Sequence, residues 1–253
     1  MTQARLRFSH AMLTDVGRVR QRNEDMADAN PKKGIYVLAD GMGGHPAGNV
    51  ASKTAVDALI AHLVGKGTRD RPSKLRESVL VANRAVLQLA ETDPSMHGMG
   101  TTVCVLWVSQ ARAYLAHIGD SRIYVMRDGE LHQITRDHTV VRELIDRGEL
   151  AEGSMEAQRI GHILTQAVGL EPHVEPDLGM MPPKAGDIYM MCSDGLSDTV
   201  PDSAMADIMR EHNDVKACAH ALVAAALEAG GHDNITVLIV RCEAAKPRKK
   251  KGA

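Results

Sequence analysis

Apolar residues recur along this chain in two rhythms, one of period two and one of helical spacing. Short apolar or β-branched runs fall at about 35–39, 101–108, 112–118, 121–127, 131–135, 187–192 and 234–242, and each reads as a strand. Several follow one another almost directly, as antiparallel hairpins do. Asp128-Gly129, between two of these runs, is a type I′ turn signal, which assigns that aspartate to a bend and not to chemistry. Helical patterns occupy roughly 47–64, 73–90, 139–147, 203–211 and 215–228. Strands that run consecutively while helices are grouped predict an α+β fold with an antiparallel sheet core, in contrast to regular βαβ alternation. No repeat or linker divides the chain, so one domain is expected over 1–243, with a disordered basic tail over 244–253.

Composition narrows the core and the partners. With one Phe and one Trp in 253 residues, the interior must be filled by aliphatic side chains and the 14 Met. The 30 basic and 32 acidic residues include five basic ones at 246 and 248–251, so the body carries 25 basic residues against 32 acidic, a net charge of −7. An acidic body repels a phosphate backbone, and no nucleic-acid partner is expected. Cys104, Cys192, Cys218 and Cys242 are widely spaced without a Cys-x-x-Cys pair, which fits reduced thiols in a cytoplasmic protein. No apolar run is long enough for a membrane span.

The placement of the acids carries the chemistry. Asp40, Asp120 and Asp194 each end an apolar run, and Asp233 immediately precedes one. Strands packed in one core can gather their ends at one rim, where four carboxylates repel each other unless cations intervene. Glycine adjoins three of them, as Asp40-Gly41, Gly119-Asp120 and Asp194-Gly195, and leaves room for close backbone approach and a free carbonyl. The 12 His form no zinc-type cluster, so oxygen ligation favours Mg²⁺ or Mn²⁺. Two such ions suit displacement at phosphorus. The segment from Arg18 to Asp25 adds three arginines, and the guanidinium fork matches phosphate oxygens.

Six segments then resemble one family in order and approximate spacing. They are Arg20 to Asp25, Val37 to His45, Gly98 to Thr102, His117 to Arg122, Cys192 to Leu196 and Asp233 to Val237. The family is the type 2C (PPM) metal-dependent serine/threonine phosphatases, small bacterial type. The resemblance implies a four-layer αββα sandwich of two antiparallel sheets flanked by helices. It also implies hydrolysis of phosphoserine and phosphothreonine on proteins by a water bridging two divalent cations, with a third ion as a further expectation. Asp40 would bridge the metals, Asp194 and Asp233 would hold the first, and the Gly41 carbonyl the second, with Glu24 acting through bound water. Asp120 with Asp194 would form the third site. Arg20 would bind the substrate phosphate, while Asp25 and Asn234 support the metal-water network. A flap is expected at about 139–164.

Met42 stands where eukaryotic members carry a His, so the leaving oxygen would take its proton from metal-bound water or another group, His45 being a candidate. The implied partners are phosphorylated proteins and a Ser/Thr kinase acting on the same targets, with the enzyme a monomer. A catalytically silent phosphoprotein-binding module is the rival, and the intact set of acids favours activity. A nucleotide-binding loop at Gly41 to Gly48 is excluded, because Ala47 and Ser52 stand where a Walker pattern ending at Lys53-Thr54 needs Gly, and Pro46 stands where a dinucleotide pattern starting at Gly41 needs Gly or Ala.

Overall fold

The unbroken apolar runs are strands buried on both faces, and their period of two sorts each strand into a helix-facing set and a sheet-facing set. The computed structural model describes residues 5–42, 47–66, 70–160 and 163–245. The first half contains β1 (Leu6–Asp15), β2 (Asp25–Asn30), β3 (Ile35–Met42), α1 (Ala47–Val64), α2 (Arg71–Thr92), β4 (Gly100–Thr101), β5 (Val103–Val108), β6 (Ala113–Ile118) and β7 (Arg122–Arg127). The second contains β8 (Glu130–Gln133), α3 (Val140–Asp146), α4 (Met155–Ile160), β9 (Asp177–Met181), β10 (Ile188–Cys192), α5 (Asp194–Ser197), α6 (Asp202–Glu211), α7 (Val215–Glu228) and β11 (Ile235–Ala244).

One sheet has the order β1-β11-β10-β7-β8 and the other β2-β3-β5-β6-β9, with β4 against β3. The strand pairings are antiparallel throughout. Ile35, Val37 and Ala39 pack with Leu59 of α1 and Val79 of α2. Tyr36 and Leu38, on the opposite face of the same strand, pack with Tyr189, Met191, Leu238 and Val240 of the other sheet. Ile235, Val237 and Ile239 of β11 in turn meet Met205 of α6 and Leu222 of α7. The expected four layers are therefore present, with helices outside and two sheets inside.

The expected helices and strands agree with the structure to within a few residues. Asp128 (φ 54°) and Gly129 (φ 85°) form the turn between β7 and β8, both with the positive φ that type I′ requires. Three strands escape the pattern: β1, β2 and β9. All three are sheet edges, where polar residues are common and alternation is weak. Among the described residues no helix is long and apolar enough to cross a membrane, and the four cysteines are free and buried. His45 and the tail from residue 246 lie outside the described residues.

Candidate metal centre

Asp40 is held at the rim by the strands that flank β3. β2 and β3 pair with Asp25 directly opposite Asp40. The Asp40 N–H donates to Thr102 Oγ1 at 2.9 Å, while its carbonyl accepts from the Thr102 N–H and the Thr101 hydroxyl, both at 2.8 Å. Asp40 thus has little backbone freedom. The Gly41 N–H donates to the Glu24 carbonyl at 3.1 Å, which places Glu24 beside the same turn. A Cβ on Gly41 would stand 2.1 Å from the Gly48 carbonyl oxygen and 2.7 Å from that of Glu24, so only glycine fits.

The other sheet supplies Asp194 and Asp233. Asp194 opens the short α5 after β10, and Asp233-Asn234 precede β11. Ser193 stitches the two sheets together: its hydroxyl donates to Asp25 Oδ2 at 2.7 Å and accepts from the Thr236 N–H at 3.0 Å. Asn234 accepts the Glu24 N–H at Oδ1 (2.8 Å) and donates from Nδ2 to the Val16 and Arg22 carbonyls, each at 2.9 Å. Its amide hydrogens are spent on fixing the arginine loop to β11. Asp120 lies in the turn joining β6 to β7.

These ends meet in one cleft of about 940 Å³. Of the predicted site residues, Arg20, Glu24, Asp40, Gly41, Asp120, Asp194, Asp233 and Asn234 line it, and Asp25 lies buried behind it against Asp40. Arg20 is half-exposed and donates from Nη2 to Asp233 Oδ2 at 2.7 Å. Thr102, Asp198 and His232 also line the cleft and were not foreseen. Asp198 had a signal, since it falls four residues after Asp194 and one helical turn keeps such pairs on one face. Thr102 closes the Gly98 to Thr102 segment of the resemblance, but its role, a tertiary hydrogen bond to Asp40, is not written in the local pattern.

The acids are open to the cleft on one side and enclosed by protein on the others. Burial first, and then the charges of Asp25, Asp194, Asp120 and Asp233, push Asp40 well above the ordinary carboxylate range. Asp194 is raised in the same way by burial and then by Asp120 and Asp198. Burial takes Asp25 up to about 6, against hydrogen bonds from Thr236 and Ser193 that pull it down. Asp120 is pushed to about 6 by burial and then by Asp137 and Asp198. Among the described residues, Asp25 Oδ1 and Asp194 Oδ1 are buried without a hydrogen-bond partner. Buried carboxylate oxygens left unpartnered in a cluster of like charge fit hard divalent cations, whose preferred donors are oxygens. The residues present therefore fit the expected Mn²⁺ or Mg²⁺ centre.

Two packed antiparallel sheets that deliver carboxylates to a cleft walled by arginines are the αββα arrangement that the resemblance to metal-dependent phosphatases implies. The chain belongs to the protein phosphatase 2C family, whose model matches residues 4–235. It is 42% identical over 242 residues to the serine/threonine protein phosphatase PstP of Mycobacterium tuberculosis, covering 94% of this chain and 46% of that protein. Thus it spans about half the length of that relative. With the serine/threonine phosphatase stp of Listeria welshimeri it shares 36% identity over 90% of this chain and 93% of the relative. The crystal structure of the PstP catalytic domain in complex with two manganese ions superposes with a TM-score of 0.85 at 39% identity, covering 94% of this chain and 99% of that one.

Proposed function

We propose that this protein hydrolyses phosphoserine and phosphothreonine esters on proteins in the bacterial cytoplasm, as a monomer, and so opposes a Ser/Thr kinase. The observation that carries the reading is the convergence of Asp40, Asp194 and Asp233 from both sheets on one cleft. Asp40 with the Gly41 carbonyl on one side, and Asp194 with Asp233 on the other, would hold a pair of Mn²⁺ or Mg²⁺ ions, and Asp120 with Asp194 a third. Bound there, divalent cations supply an activated water and neutralise charge on the phosphoryl oxygens.

The remaining work falls to the chain's own residues. Arg20, at the cleft wall, orients the phosphate by its guanidinium fork, and its pairing with Asp233 holds it in place before substrate arrives. Asn234 acts by position, since it fixes the Glu24 N–H and the Arg22 carbonyl. Asp25, tied to Ser193, keeps the Asp40 side of the rim close to the Asp194 side. The excursion between the Thr139–Leu164 bridge positions, which carries α3 and α4, serves as the flap over the cleft. Leu164 at its base lines the cleft.

Phosphate release from phosphoserine, phosphothreonine and phosphotyrosine peptides, with Mn²⁺ and with EDTA, tests the reading. Turnover of the first two in Mn²⁺ and none in EDTA is expected. Stoichiometric binding without release in saturating Mn²⁺ would mark a silent phosphoprotein-binding module instead. In Arg20→Ala the KM rises by roughly 10-fold or more while kcat changes less, as loss of a charge-assisted phosphate contact predicts. An unchanged KM would count against Arg20.

A further inference from the structure

Behind the cleft, the turn that presents Asp120 is gripped by two buried histidines. His117 and His138 have rings 4.9 Å apart, tilted by 50°, and both are almost fully buried. His117 Nε2 lies 2.9 Å from the Ser121 carbonyl, on the far side of Asp120. A carbonyl only accepts, so Nε2 carries the hydrogen. On the near side, the Gly119 N–H donates to His138 Nδ1 at 3.2 Å, and the His138 N–H donates back to the Gly119 carbonyl at 2.8 Å. His138 also accepts the Thr165 N–H at its own carbonyl, which places it at the foot of the 139–164 excursion. Its Nε2 lies 3.2 Å from Asp177 Oδ2 on the edge strand β9.

His117, His138 and Asp177 bring three potential ligand atoms within 4.8 Å of one another, so a transition-metal site must be weighed. It fails on the tautomer. The Gly119 N–H occupies the Nδ1 lone pair of His138, so the proton of the neutral ring sits on Nε2, where an ion would need a lone pair. Asp177 then faces a proton-bearing nitrogen and not a shared cation. His138 thus has one nitrogen committed to the Gly119 N–H and the other facing the Asp177 carboxylate.

Gly119 cannot be replaced without moving this turn. Its φ is +105°, and a Cβ would stand 2.6 Å from the Thr102 side chain. Thr102 Oγ1 in turn accepts the Asp40 N–H and contacts Ser121 Oγ at 2.7 Å. The Asp120 carboxylate therefore sits on a turn whose two flanking residues are both fixed, Gly119 by His138 and Ser121 by His117 and Thr102.

We propose that His138 is a positioning residue for the third cation: by accepting the Gly119 N–H at Nδ1 it sets the Asp120 carboxylate against Asp194. The inference rests on the assignment of Asp120 and Asp194 to that cation.

Two variants separate hydrogen bonding from packing. His138→Asn places Oδ1 where Nδ1 stands and can accept from Gly119, whereas the His138→Gln amide reaches only the Nε2 position. In calorimetric Mn²⁺ titrations of metal-stripped protein, His138→Gln weakens the low-affinity step by about 10- to 100-fold, the usual effect of losing a group that orients a ligand. The tight steps stay unchanged, and His138→Asn titrates within about threefold of wild type. Nitrogen-15 imidazole spectra of the metal-free wild type show His138 protonated at Nε2 and bare at Nδ1.

Equal losses in the Asn and Gln variants would overturn the positioning role, as would a wild-type titration for His138→Gln. Protonation of Nδ1 would do so as well, and that spectrum decides the matter even if His138→Gln does not fold. Asp120→Asn loses the low-affinity step altogether. If that variant keeps it, the assignment of Asp120 to the third cation falls, separately from the role of His138.

Discussion

Asp194 shows at the scale of one residue how function and stability oppose each other. Its carboxylate is enclosed, faces Asp120, Asp198 and Asp233, and has no hydrogen-bond partner at Oδ1 among the described residues. Without a cation, ionising it at neutral pH works against folding, because the folded environment favours the protonated form. Asp194→Asn removes that charge at nearly constant volume. Two results are expected together. Mn²⁺-dependent turnover falls by more than about 100-fold, beyond the loss caused by groups that merely orient a ligand. In EDTA, however, the variant melts at a higher temperature than wild type. Turnover near the wild-type level would remove Asp194 from the ligand set, and a lower melting temperature in EDTA would show that the carboxylate is stabilised by something other than a cation.

At the scale of elements, the antiparallel pairing of β7 with β10 is locked by an ion pair far from the cleft. Arg127 Nε and Nη2 donate to Asp187 Oδ1 and Oδ2 at 2.8 and 2.7 Å, and Asp187 is 1% exposed. The Lys184 N–H donates to the same carboxylate at 2.6 Å. Arg127→Ala leaves a buried charge uncompensated and costs about 3–5 kcal/mol in urea unfolding, whereas replacing both partners with neutral residues costs less. Since neither residue lines the cleft, kcat stays near wild type under conditions where the variant is folded. A cost below about 1 kcal/mol would place the pair among ordinary surface contacts.

The same elements explain what the sequence made legible. Central strands such as β3, β5, β10 and β11 are covered on both faces, so they appear as continuous apolar runs. The edge strand β2 reads Asp-Met-Ala-Asp-Ala-Asn, without a single β-branched residue. It is a strand only because β3 pairs with it. β9 contains Gly179, which leaves room for Leu115, again a tertiary requirement. The acids were legible for the converse reason: they interrupt central strands at their ends, where an ionisable group has no packing role. Asn234 was named as support for the metal-water network, and its hydrogen bonds add a tie to the arginine loop; neither Thr102 nor His138 was assigned a task. Their side-chain hydrogen-bond partners lie 19 or more residues away in the chain, so the pairing cannot be read from local pattern.

For the whole molecule, a rim of raised carboxylates makes stability depend on metal and proton together. Burial pushes Asp25 and Asp120 up to about 6 in the folded protein, against 3.8 for an ordinary aspartate. A folded-state value above the unfolded one gives stability that is complete below about pH 4 and is lost as pH rises through 6. His117 pulls the other way. Burial, followed by His138, lowers it to about 4, so its contribution is complete above the unfolded value near 6.5 and is lost as pH falls. The raw pH profile of the metal-free protein mixes the two. The increment that Mn²⁺ adds isolates the rim, because His117 contributes alike with and without the ion. Each carboxylate that must give up a proton to accept a cation makes that increment grow by about 1.4 kcal/mol per pH unit below its folded-state value. Urea unfolding at about pH 5, 6 and 7.5, in EDTA and in saturating Mn²⁺, should therefore show the increment rising from the first to the third, since Asp40 and Asp194 are also held well above the ordinary carboxylate range. Asp194→Asn should flatten the rise. An increment that does not change with pH would mean that manganese binds somewhere other than among these acids.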